Sequence, residues 1–162
     1  MNSIMTYRNL EKCVLYVLLI LSITIWSAQA QQPIEMLSCG DSISTTIISS
    51  EELTIMSIEG KGINIDYIES KVFDNMTYQS VGLIKSEFGK QTGTLYSKYN
   101  DASGDFIIVE VFQVGNERDW KYLYGIGKWK GIIGGGKAIP LTRGMYQSCV
   151  KITGTYELKK AF

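Results

Sequence analysis

The carboxylate best placed for chemistry is Glu110, in the apolar run Phe106-Ile107-Ile108-Val109-Glu110-Val111-Phe112-Gln113-Val114. In a strand, alternation puts Glu110 on one face with Phe106, Ile108 and Phe112. If that face lines an interior, burial raises the carboxyl's pKa and makes it a ligand anchor or a general acid–base. In the opposite register Ile107, Val109 and Val111 line the core and Glu110 points to solvent. The 162-residue chain has no histidine, which removes Ser-His-Asp and Cys-His catalysis and the usual zinc sites. Ten tyrosines, three tryptophans and five phenylalanines form an aromatic supply suited to an apolar pocket. Tyr96, Tyr99, Tyr122, Tyr124, Trp120 and Trp129 are, with Glu110, the candidate ligand contacts, although most aromatics in a small β domain simply fill its core.

A second candidate is the run Gly125-Ile126-Gly127-Lys128-Trp129-Lys130-Gly131-Ile132-Ile133-Gly134-Gly135-Gly136, with six glycines in twelve residues. The pattern Gly131-x-x-x-x-Gly136-Lys137-Ala138 is one residue short of a phosphate-binding loop, because Ala138 lacks the hydroxyl that would reach a metal ion. A phosphate loop also needs a following helix, and Pro140 and Gly144 argue against one. The glycines fit better as a strand that bends or admits a neighbouring backbone. Alternation across Lys128-Trp129-Lys130 then sends the indole and the two cationic chains to opposite faces. The acidic turn Asp101-Ala102-Ser103-Gly104-Asp105 lacks the spacing and terminal glutamate of a calcium loop and reads as a solvated hairpin turn. Asn75-Met76-Thr77 is a glycosylation sequon, relevant only in a eukaryotic source. No metal and no cofactor is expected.

Residues 1–30 read as a secretory signal: Arg8 and Lys12 flank the apolar stretch Val14 to Ile25, and Ala28-Gln29-Ala30 is a small-residue cleavage site. Residues 31–162 are then the mature domain, secreted or periplasmic, with no membrane span after cleavage. Losing Arg8, Lys12 and Glu11 leaves 14 basic and 15 acidic residues, so nothing attracts nucleic acid over distance. Cys39 and Cys149 are the mature thiols. A disulfide is the natural reading in an oxidising compartment, the alternatives being a lipid-modified Cys39 or two free thiols.

These groups must be carried by strands. After the signal the periodicity is two, rich in β-branched and aromatic residues, and no helical stripe lasts three turns. The expected strands are Ile43 to Ile48, Leu53 to Glu59, Ile63 to Ile68, Thr77 to Phe88, Gly93 to Tyr99, Phe106 to Val114, Lys121 to Ile133 and Cys149 to Leu158. Short turns such as Phe88-Gly89-Lys90 and Gly115-Asn116-Glu117 imply an antiparallel meander. The fold class is all-β: one closed antiparallel barrel of about eight strands, or a β-sandwich. On the last strand Val150, Ile152, Tyr156 and Leu158 should face inward. A Cys39–Cys149 bridge would strap the N-terminal segment across the outside or end of the barrel.

The glycine run resembles the "GTGKxxGIxGxG" signature of bacterial secreted proteins with an allene oxide cyclase-like or dirigent-like barrel, with Ile126 in place of the usual Thr. Asp101 to Asp105 resembles the acidic glycine turn before that family's central strand, and Cys149 to Leu158 its closing strand. The resemblance implies an eight-stranded calycin-like barrel with an apolar interior, often assembled into homo-oligomers. It carries no catalytic residue onto any position here. The leading expectation is a non-enzymatic exported barrel that binds a small hydrophobic molecule or serves as an interaction module. The alternatives are a cofactor-free isomerase or cyclase, whose polar contact is Glu110 or a tyrosine, and a structural or adhesive surface protein.

Overall fold

The computed structural model describes residues 31–143 and 148–159; the expected signal lies outside the described residues. Eight strands follow in chain order: β1 (Gln32–Ser49), β2 (Leu53–Asp66), β3 (Thr77–Glu87), β4 (Lys90–Asn100), β5 (Phe106–Val114), β6 (Glu117–Gly125), β7 (Ile132–Arg143) and β8 (Ser148–Leu158). Each pairs antiparallel with the next, and β8 returns to β1, so the sheet closes into a barrel. The sandwich alternative is thereby excluded.

Alternation assigns the two faces. On β5, Ile107, Val109 and Gln113 are buried while Phe112 and Val114 are exposed, so the odd-numbered residues point into the lumen. Ile152 on β8 is buried, and Val150, Tyr156 and Leu158 pack against the same core, as their spacing predicts. Two expected strands merge: Leu53 to Glu59 and Ile63 to Ile68 form the single β2, which runs through Gly60 and Gly62. The N-terminal segment is not a strap. Gln32–Gly40 pairs with Ser148–Tyr156 as the closing seam, and the Cys39–Cys149 disulfide joins directly opposed residues of that seam.

The glycine run also differs from expectation. It is a corner between two strands: β6 ends at Gly125, Gly127–Trp129 makes one 3₁₀ turn, and β7 begins at Ile132. Gly127 has φ +58°, and a Cβ there would meet the Asp105 carboxylate. Farther on, a Cβ at Gly136 would meet the Thr153 carbonyl and Gly154, so glycine lets β7 and β8 approach closely. Because the corner is helical, Trp129 does not alternate with its lysines; it turns into the barrel end and is 2% exposed. The acidic turn clasps it there. Asp101 accepts from Trp129 Nε1 (3.0 Å) and pairs with Lys128 Nζ (2.9 Å), while Asp105 accepts from the Lys128 N–H (3.0 Å). Burial alone would raise the Asp101 carboxyl, yet hydrogen bonds from Ser103, Lys128 and Trp129 hold it well below the usual carboxylate range.

Residues 67–76 close this end. The Asp66 carboxylate accepts from the N–H groups of Ile68 (2.9 Å) and Phe73 (3.1 Å), and Asp74 accepts from the Asp66 N–H (3.0 Å). Asn64 exchanges backbone bonds with Met76 and Asn75. The fold-back inserts Phe73 and Met76, both almost fully buried. Phe73 stacks on Trp129 with centroids 5.3 Å apart and meets Tyr156 edge-on at 5.0 Å.

Candidate binding cavity

Above this plug the lumen opens into a cavity of about 380 Å³, within the size range of small-molecule sites. Its lower wall is apolar, with Tyr99, Val111, Ala138 and Ile152. The rest of the lining mixes polar side chains, among them Ser42, Ser80, Ser97, Gln91, Gln113 and Arg118, with the apolar Met56, Ile58, Ile84 and Leu95. The interior is therefore mixed, and the expectation of an apolar lumen holds only in part. The serines of this lining arise because alternation on β1, β3 and β4 turns small polar residues inward.

Most of these polar groups are already engaged. Ser80 and Ser97 share a hydrogen bond of 2.7 Å, Ser38 donates to Asn64 Oδ1 at 2.9 Å, and Arg118 Nε donates to Gln113 Oε1 at 3.0 Å. Burial pushes the Tyr99 phenol up to about 12, against the lowering effect of its Ser38 hydrogen bond, and pushes Tyr78 up as well. Below Tyr99 a small void of about 30 Å³ lies among Asn64, Phe73, Trp120 and Tyr122. Among the described residues two polar side-chain atoms are buried without a partner, the Tyr122 hydroxyl and Asn64 Nδ2; both residues line this void. Burial, with Tyr99, Tyr156 and Asp66 nearby, raises Tyr122 well above its ordinary value. These tyrosines are hydrogen-bond donors at neutral pH, not bases. Among the described residues no group of three acidic or thiol side chains could hold a metal ion.

The expected contacts divide. Tyr99 lines both the cavity and the small void below it, and Tyr122 lines the void alone. Trp120 lines the void and ties β7 to β8 by donating its Nε1–H to the carbonyls of Lys137 and Thr153. Trp129 lines neither space but backs Phe73. Glu110, Tyr96 and Tyr124 lie on the outer surface. There Glu110 is 8% exposed because Tyr96 and Lys121 cover it: Tyr96 Oη donates at 2.9 Å and Lys121 Nζ pairs at 2.9 Å. The Lys121 hydrogen bond, with that of Tyr96, outweighs burial and lowers its pKa. Glu110 is thus an ionised acid outside the barrel rather than a raised one within it. Sequence reasoning missed the luminal serines, Gln113, Arg118 and Phe73. The available signal was parity: once Ile107 and Val109 are taken as inward, Gln113 must be inward too.

No family model matches the sequence, and no curated protein matches it. Among solved structures, the pterocarpan synthase dirigent protein GePTS1 matches 84% of this chain and 96% of its own, with TM-score 0.53 and 9% identity. The pterocarpan synthase dirigent protein PsPTS1 matches 84% of this chain and all of its own, with TM-score 0.54 and 8% identity. At such identity the likeness is one of fold: the chain is a dirigent-like closed barrel of eight antiparallel strands.

Proposed function

We propose that this is an exported, non-enzymatic barrel that holds a small amphipathic molecule in its lumen. The apolar part would rest on Tyr99, Val111 and Ile152, and the polar part would face the luminal serines. The observation that carries this reading is the cavity of about 380 Å³, lined by both apolar and polar side chains, above an aromatic plug. Export is supported by the signal-like residues 1–30 and by the disulfide, which is compatible with an oxidising compartment.

Gly60 gives the test. Its Cβ direction enters the lumen beside Ser42 and Ser80 with contacts of 3.5 Å or longer, so Gly60→Leu fills the cavity without forcing the backbone. Anilinonaphthalenesulfonate fluorescence should rise with the native protein and fall at least about tenfold in apparent affinity for Gly60→Leu, a loss of about 1.4 kcal/mol. Equal uptake by both proteins would overturn the reading.

A second reading, cofactor-free cyclisation, is favoured by the unpartnered Tyr122 hydroxyl at the small void beneath the cavity and by a fold shared with pterocarpan synthase dirigent proteins. It would proceed without Glu110. Its mark would be conversion of a bound compound that stops in Tyr122→Phe while uptake persists.

A further inference from the structure

Beneath the cavity lies the void of about 30 Å³, and the two spaces share Tyr99, Val111, Ala138 and Ile152. The void is therefore the next space down the lumen, reaching Phe73 of the plug. Most of its wall is apolar, with Met36, Ile107 and Val109, and no charged side chain lines it. The Trp120 Nε1–H is committed to the carbonyls of Lys137 and Thr153.

Against that wall the Tyr122 hydroxyl and Asn64 Nδ2 are buried without a partner, and neither residue is free to turn away. Asn64 is 1% exposed; its Oδ1 accepts from Ser38 Oγ at 2.9 Å, and its backbone N–H and C=O pair with Met76 and Asn75. The group this amide still offers is an N–H donor. The Tyr122 ring is held edge-on by Trp120, centroids 5.0 Å apart, and stacks on Phe73 at 6.3 Å. Its phenol, raised by burial, keeps its proton at neutral pH and offers an O–H. Two desolvated donors with nothing to donate to disfavour the empty site, and an acceptor that enters removes that penalty.

We propose that this recess anchors the luminal ligand by a neutral acceptor oxygen, a ketone or quinone carbonyl, with the ligand's apolar body lying in the cavity above. The inference rests on the luminal-ligand reading and narrows the chemical class of the ligand. A carbonyl oxygen has two lone pairs for the two donors. The volume admits little more than a water-sized group, so only the oxygen-bearing tip of a ligand enters. A carboxylate would be desolvated with no cation in the wall, and the Asp66 carboxylate already acts on Tyr122. An alkyl tip would leave both donors bare, and an N–H tip would meet the Asn64 donor.

The probes are α-tetralone and tetralin, which share a ring frame with and without the carbonyl, each displacing anilinonaphthalenesulfonate from the purified protein. Hydrophobic burial alone favours tetralin, the more apolar of the two. The native protein should instead bind α-tetralone at least about tenfold more tightly than tetralin, and Tyr122→Phe should abolish that preference. Because the hydroxyl has no partner in the protein alone, Tyr122→Phe should keep the native circular dichroism and denaturation midpoint. As a second measurement, the infrared carbonyl stretch of bound α-tetralone should lie lower in the native protein than in a hydrocarbon solvent. Equal binding of ketone and hydrocarbon by a protein that takes up the dye would overturn this inference alone, leaving the recess to a water. A preference that survives in Tyr122→Phe, or a carbonyl stretch at its hydrocarbon position, would also overturn it. A native protein that takes up no dye would overturn the luminal-ligand reading and this inference with it.

Discussion

The two ends of the barrel are built on opposite plans. At one, Phe73, Met76, Trp129 and Tyr156 fill the lumen, and the Asp66 carboxylate holds the fold-back through the N–H groups of Ile68 and Phe73. At the other, the same strands surround open space with a mixture of serines, glutamines and apolar side chains. One sheet therefore carries a stability-determining end and a recognition end, and substitutions at the two should separate folding from binding.

The largest effect is expected at the solid end. Phe73→Ala should cost about 3–5 kcal/mol in chemical denaturation, because the ring touches Trp129, Tyr122 and Tyr156. A loss under about 1 kcal/mol would mean that the plug merely covers the barrel end. Next, Asp101→Asn should cost about 1–3 kcal/mol through its charge-assisted hydrogen bonds to Trp129, Lys128 and Ser103. Its folded pKa is lowered, so the native Asp101 contributes stability that is complete above the ordinary carboxylate value, about 3.9, and is lost as pH falls below it. Acid denaturation curves of the native and Asp101→Asn proteins should accordingly converge below about pH 4. At the open end Gly60→Leu should shift stability by less than about 1 kcal/mol while dye uptake is lost, and a large destabilisation there would blur the contrast. Smallest of all, Glu110→Gln should leave dye uptake unchanged, since the carboxylate lies outside the lumen with Tyr96 and Lys121.

Alternation and turn residues made the barrel legible, because both are local properties. Three things were not local. The 3₁₀ corner around Gly127 depends on Asp105, whose partnership with Lys128 spans 23 residues. Gln32 to Gly40 becomes a strand through pairing with the far end of the chain, which nothing in its own composition announces. The luminal serines read as a solvent face in an alternating strand, and only closure turns them inward. Glu110 shows the converse: both faces of β5 are apolar, so alternation alone could not say which one met the lumen, and outer neighbours then buried it without bringing it inside.

The seam disulfide has a mechanical consequence. Cys39 and Cys149 join the first and last strands across 110 residues, so tension applied to the two chain ends passes through the sulfur bridge and bypasses everything between. In a force-extension experiment, the loop's contour length should stay hidden until the bridge is reduced, and only the short tails outside it should stretch.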